Sequence, residues 1–305
     1  MTRLATTRRG FLISAGAIGI AAPAVSAGWA RAGGLLLEIE IGPDDLERPV
    51  RFVLGETRDV RIAWGDGRTE RIADGVLRET GHVYAQPGSY RVCIRGEARS
   101  FYSREAQRLV GVPSFGDLGI VSISGAFNAH RRLRVVGRLP RSVVNLALTF
   151  YAGAMPSGLE AWNVDNVISF ARMFSGARGN RDLSSWRPIR AVELSEMFRG
   201  CVDFDAPLGS WGEHVARVGS FRGMFQGARA FNQPLPSWDV RNAGLNPACR
   251  HAGRPLENMF AGASAFAQDL SGWHVRPDQT RPDGFSGPRG RIVEPPWGTG
   301  APLAV

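Results

Sequence analysis

What the sequence lacks narrows it first. It contains no lysine, so all 37 basic residues are arginine, and against 28 acidic residues they leave a formal charge of +9. Arginine binds phosphate oxygens through a rigid fork of donors, so an all-arginine surface would suit nucleic acid. That reading needs clustered cations. Here they are scattered, with Arg131, Arg132 and Arg134 the one tight group, and no nucleic-acid-binding motif accompanies them. Compositional bias explains the arginines, and no nucleic-acid partner is expected. Cysteine is scarce as well. Cys93, Cys201 and Cys249 are an odd number, which cannot pair completely within one chain, and their spacing fits no zinc pattern. They read as small buried thiols.

Catalytic signatures are missing too. His82, His130, His214, His251 and His274 stand apart, with none at metal-binding spacing from another. There is no G-x-S-x-G nucleophile elbow and no phosphate-binding loop, and Asp44-Asp45 reads as a turn. No enzyme activity, metal or cofactor is therefore expected. Apolar residues make up 44% of the chain, enough for a folded core.

The N-terminus reads as an export address. Arg8, Arg9, Phe11 and Leu12 resemble the bacterial twin-arginine signal, in which two arginines precede an apolar pair. The apolar run from Phe11 to about Ala24 is broken by Pro23, which makes it a poor permanent span. Val25-Ser26-Ala27 offers cleavage between Ala27 and Gly28, and a second cut is available after Ala32. The resemblance implies passage of the folded chain through the twin-arginine translocase to the periplasm or the cell surface. No later segment is long enough to span a membrane.

Residues 34–98 read as strands broken by turns. Leu35 to Ile41, Pro49 to Leu54, Asp59 to Trp64 and Gly88 to Ile94 carry near-alternating apolar residues, and Gly65-Asp66-Gly67 is a turn. This pattern predicts a small β-sandwich. Trp64-Gly65-Asp66-Gly67 and His82-Val83-Tyr84-Ala85-Gln86-Pro87-Gly88-Ser89-Tyr90 resemble two signatures of polycystic-kidney-disease (PKD) domains. The resemblance implies a spacer or binding module in which Asp66 and His82 are structural.

Residues 101–285 repeat. Met173-Phe174, Met197-Phe198, Met224-Phe225 and Met259-Phe260 are each followed, 12 or 13 residues after the phenylalanine, by Trp186, Trp211, Trp238 and Trp273. Weaker copies begin at Phe127 and Phe150, and the interval from Phe225 to Phe260 is stretched to 35 residues by an insertion around Gly244 to Pro255. Apolar residues three before each methionine, then Met-Phe, predict one face of a short helix ended by glycine. Each unit has too little core to fold alone, so the units are expected to stack. A tryptophan at a fixed repeat position reads as a core ladder rather than a sugar-binding surface. The run Met224 to Val240 resembles the repeat of BspA-type leucine-rich-repeat surface proteins and mycoplasma surface lipoproteins. The resemblance implies a mixed α and β architecture: a PKD-like β-sandwich, then a leucine-rich-repeat-type solenoid, then a Pro/Gly-rich tail over residues 286–305.

Taken together, these readings point to an exported, non-catalytic module that binds or adheres to a protein or glycan, with an envelope spacer lacking a specific ligand as the alternative. A glycan or cell-wall hydrolase would need two carboxylates about 5 to 10 Å apart in a cleft. The export reading makes a direct prediction. Arg8→Lys/Arg9→Lys leaves a tagged protein in the cytoplasm as uncleaved precursor while the wild type is processed and exported. Equal export of both would mean that the arginine pair is not read.

Overall fold

The computed structural model describes residues 33–236, 238–247, 249, 253–286 and 292–298. The proposed signal residues Arg8, Arg9, Phe11 and Leu12, and the cleavage position at Ala27 and Gly28, lie outside them.

Eight strands form one open mixed sheet: β1 (Leu35–Ile41), β2 (Val50–Ala63), β3 (Thr69–Ile72), β4 (Gly75–His82), β5 (Gly88–Glu97), β6 (Ser100–Ser103), β7 (Leu109–Ser114) and β8 (Val135–Val136). Their order is β3-β2-β5-β1-β7-β8, with β4 and β6 also paired to β2. β1 alternates strictly between buried and half-buried positions, as a strand covered on one face should.

No separate PKD-like β-sandwich forms, and β2 is the reason. The sequence suggests two strands, 49–54 and 59–64, but the chain runs through both as one strand of 14 residues. Its first half pairs with β4 and β6 and its second half with β3 and β5. Glu56 and Asp59, at φ 50° and 44°, mark the irregularity between the halves, where the register to β5 shifts.

The mixed α and β expectation is likewise corrected. Among the described residues the helical segments are three short 3-10 turns, Pro43–Asp45, Leu159–Ala161 and Gly209–His214. No leucine-rich-repeat-type solenoid of helices and strands is found. The repeats consist of consecutive turns joined by isolated parallel bridges such as Asn145 to Ser169, Ser169 to Glu193 and Glu193 to Ser220.

The backbone explains why the expected helices do not form. Each unit places two residues in the left-handed region four positions apart: Gly125 and Ala129, Leu148 and Ala152, Arg172 and Gly176, Glu196 and Gly200, Gly223 and Gly227, Asn258 and Gly262. A right-handed helix cannot pass through such residues. The amides then divide their work. Those of Phe170, Arg172, Phe174 and Gly176 donate to carbonyls of the next unit, at Glu193, Ser195, Met197 and Arg199, over 2.7–3.0 Å. Those of Met173, Ser175 and Ala177 close local three-residue turns on Phe170, Arg172 and Phe174. The apolar spacing of i, i+3 and i+4 is met by the turns, with half of the amides left to bind the neighbouring copy.

Stacked units superimpose their side chains. Phe127, Phe150, Phe174, Phe198, Phe225 and Phe260 form one column, with ring centroids 5.5–5.7 Å apart. Phe204, Phe231 and Phe266 form a second. One continuous core runs from Leu35 in the sheet to Phe285. Phe101 and Phe115 of the sheet region meet Phe127 at 6.1 and 6.3 Å, so the sheet is the platform on which the first unit rests.

The second left-handed position of the unit is glycine in four copies and alanine in two. At Gly200 an added Cβ would meet nothing closer than Gly176 Cα at 3.8 Å, so only the left-handed φ of 68° opposes a side chain there. Gly200→Ala should therefore lower stability by about 1 kcal/mol. Ala152→Gly, at φ 52°, should raise it by about 0.5 kcal/mol, since relief of strain exceeds the added chain entropy. Urea denaturation of the two variants measures both signs.

Candidate functional site

The repeat residues singled out by sequence lie inside. Met173, Phe174, Trp186, Met197, Phe198, Trp211, Met224, Phe225, Trp238, Met259, Phe260 and Trp273 are all at most 2% exposed. Trp162, Trp186 and Trp211 stack at 6.1–6.3 Å, and Trp238 stacks on Trp273 at 5.8 Å. Indole N–H groups bind backbone one unit back: Trp186 to Leu159, Trp211 to Leu183 and Trp273 to Leu235. Trp238 departs from this, since its Nε1 has no partner among the described residues. It follows the unit wound into the turn Gly209–His214. The tryptophans are thus committed to packing and to backbone carbonyls.

Asp66 and His82 do meet. His82 Nε2 lies 2.7 Å from Asp66 Oδ2, and its ring stacks on Trp64 at 4.8 Å. Burial alone would raise the Asp66 carboxyl, but the Arg68 amide and the His82 ring outweigh it and hold it below the usual carboxylate range. Tyr84 donates to the Trp64 carbonyl, so the pair stitches the turn at Gly65 to the strand end. Among the described residues, no group of three or more His, Cys, Asp or Glu side chains could hold a metal ion.

A column that sequence inspection missed runs through Ser122, Asn145, Ser169, Glu193 and Ser220. Each accepts, through its side chain, the amide two residues later: Ser124, Ala147, Ala171, Ser195 and Arg222. These amides have neither a turn nor a neighbouring unit to bind, so a short polar acceptor is needed at that position. The signal was present as a polar residue five before Phe127, Phe150, Phe174, Phe198 and Phe225.

The stretched interval borders a recess with a mainly apolar lining. Along the stack, Val121, Val144, Ile168 and Val192 occupy one column, and the next member is Gly219. There the inserted segment folds back and Cys249 takes the space a valine would fill. A Cβ on Gly219 would lie 2.5 Å from Cys249 Sγ. The thiol reaches the Val192 carbonyl at 3.3 Å, and burial, then the nearby Glu193, push its pKa up. Beside the docked segment lies a groove of about 390 Å³, walled by Ala147, Leu148, Ile168, Ala171 and Val192, with Arg172, Glu193 and Asn246 at its edge. Next to it Glu196, 4% exposed, binds Arg172 at 2.9 Å and Arg199 at 2.7 Å. Burial would raise its pKa, but the two guanidinium bonds hold it below the usual range.

Residues 144–253 and 214–280 match a family described as "Mycoplasma protein of unknown function, DUF285". No curated protein and no solved structure matches the chain. The match falls on the stacked units and leaves residues 34–98 outside it. The resemblance to BspA-type leucine-rich-repeat proteins is thus replaced by similarity to a family without assigned function, and the PKD resemblance has no support.

One titratable group sits where sheet and stack join. His130 is 1% exposed, with Nε2 3.1 Å from Ser103 Oγ of β6 and Nδ1 2.8 Å from the Asn128 carbonyl. Burial depresses its pKa to about 4. The unfolded chain takes up this proton near pH 6.5 and the folded one only near pH 4. The stability His130 contributes is therefore complete above pH 6.5 and is lost as pH falls toward 4, by roughly 3 kcal/mol in all. His130→Gln should flatten that part of the stability profile. Unfolding midpoints at pH 7, 5.5 and 4 test it.

Proposed function

We propose that this chain is an exported, non-catalytic binding module whose partner is a protein, and that the partner docks in the groove beside the inserted segment. The observation that carries this reading is the pairing of Gly219 with Cys249. The largest departure of the chain from its repeat is the insertion around Gly244 to Pro255, and there the stack omits a side chain at Gly219 so that Cys249 can seat against it. An insertion in a repeat array maps to a loop on one face, often the face that binds. The recess it creates is concave and mainly apolar with a few polar groups at its rim, as binding sites commonly are.

A protein suits the site better than a glycan. Sugar recognition leans on exposed aromatic faces, and here Trp64, Trp162, Trp186, Trp211, Trp238 and Trp273 are buried. Asp66 with His82, and Glu196 with its arginines, are engaged in holding turns together, which supports a non-catalytic reading. Arg8, Arg9, Phe11 and Leu12 support export.

Ala171 is half-buried in the groove wall, so Ala171→Trp fills the groove from its open side. The variant should keep the wild-type thermal midpoint within about 1 °C. It should also lose at least tenfold in capture of the protein that the wild type retains from an envelope fraction. Equal capture by both would remove the groove from the reading, and a partner sensitive to glycosidase but not to protease would replace protein by glycan.

A further inference from the structure

The arginines look scattered in the sequence, but stacking sorts them. The tight group fails as a cationic site, because Arg132 and Arg134 are both paired to Glu40 of β1. Elsewhere Arg172, Arg199 and Arg222 surround Glu196, Arg178 faces Asp203 and Arg181 faces Glu160. A different set has no such neighbour. Among the described residues, Arg48, Arg68, Arg131 and Arg229 are exposed without an ion-pair partner and lie elsewhere, whereas Arg138, Arg141, Arg187, Arg190 and Arg217, likewise exposed and without an ion-pair partner, are carried by turns of the stack.

These five lie on one edge. The turns that carry them lead into Val144, Val192 and Gly219, which one column links by backbone bonds from Ile168 to Val144, Val192 to Ile168 and Gly219 to Val192; the turn before Ile168, between them, carries Asp165 and no arginine. The turn at 165 is laid on the turn at 141 by a bond from the Asn166 side-chain Nδ2 to the Arg141 carbonyl. Successive units are spaced like neighbouring strands, about 4.8 Å apart, so Arg141 and Arg217 are roughly 14 Å apart along the stack. Asp165 and Glu213 share these turns, and neither lies within ion-pair distance of the five arginines. The row passes beside the groove, since Val192, which walls the groove, directly follows the turn that carries Arg187 and Arg190.

We infer that this edge binds an acidic polypeptide segment, its carboxylates meeting Arg141, Arg187, Arg190 and Arg217 while a neighbouring side chain of the same partner enters the groove. The inference rests on the protein-partner reading and names the chemistry of that partner. Guanidinium groups pair with carboxylates through two parallel bonds, and groups left unpaired on a surface are free to do so. A polypeptide is favoured over an acidic polysaccharide because the tryptophans of the stack, Trp162, Trp186, Trp211, Trp238 and Trp273, are buried and offer no face for ring stacking. It is favoured over a membrane because the large exposed apolar residues Val76, Leu77, Val83, Tyr151, Leu245 and Val293 lie outside the turns that carry the row.

The test measures binding of poly-L-glutamate to the exported chain and to the variant Arg141→Gln/Arg187→Gln/Arg190→Gln/Arg217→Gln. The wild type should bind, more weakly as salt rises from 50 to 200 mM, and the variant should bind at least tenfold more weakly. Arg178→Gln/Arg181→Gln, which removes paired arginines, should stay within twofold of wild type. No binding by the wild type, or equal binding by the fourfold variant, overturns the inference. So does arginine-dependent binding of heparin or of phosphatidylglycerol vesicles without binding of polyglutamate. Ala171→Trp should leave polyglutamate binding intact, so failure of the groove and failure of the arginine edge are read from different proteins.

Discussion

The structure depends on the division of backbone amides within each repeat. Every second N–H binds the next unit and the ones between close turns inside their own. A hydrogen bond contributes only about 1 kcal/mol net, but an amide buried without one costs more than that. A single unit would leave half of its amides unsatisfied and its phenylalanine half covered. Units are therefore stable only together, and the register between them is fixed: the residue after an inter-unit donor cannot become one without inverting the chain. Extra residues cannot be absorbed within the column, so the long interval before Phe260 has to leave the stack and return. Its return over Gly219 is the origin of the groove.

The same constraint sets which polar residues are required. Where an amide has neither a turn nor a neighbouring unit, the side chain two residues earlier supplies the acceptor, giving the column from Ser122 to Ser220. Glu193 stands in that column with a longer side chain and is the member that borders the groove. Glu196, three residues on, is held by arginines from its own unit and from both neighbours, Arg199, Arg172 and Arg222. Charge in this part of the molecule is spent on holding units in register, which is what makes the unpaired arginines on the turn edge distinct from the rest.

How much of this was legible in the sequence depends on how local the cause is. The Met-Phe and Leu-x-x-Trp positions show the period and the buried face because each copy carries the same residues. The helix expectation failed because apolar spacing alone does not distinguish one helical turn from two successive tight turns. The left-handed residues that decide it include Arg172, Glu196 and Leu148, which nothing in their chemistry marks for that conformation. β2 read as two strands because Gly55 to Arg58 interrupts the alternation, while the structure bends one strand through that interruption. The arginine edge was illegible for a third reason. Arg141, Arg190 and Arg217 are 49 and 27 residues apart, and only superposition of the turns makes them neighbours. Conversely, Arg132 and Arg134 look like a site until Glu40, some ninety residues earlier, neutralises them.

The two ends of the stack restrict where a partner can sit. At one end the first unit rests on the sheet through Phe101 and Phe115. At the other, Phe285 meets Phe260 and Trp273 edge-on, at 5.4 and 6.0 Å with planes near perpendicular, and Trp297 in turn meets Phe285 edge-on at 4.8 Å. A ring that continued the column would be parallel and would offer a fresh face to the next copy. A perpendicular ring covers the last face and presents its own edge instead. The backbone repeats this closure: Leu270 donates to Val293, so a segment outside the repeat pattern takes the last inter-unit bonds. With both ends covered, addition of further units by stacking is closed off. A partner of the proposed kind would then meet the sides of the stack, where Cys249 of the inserted segment and the turn of Arg187 and Arg190 both adjoin Val192.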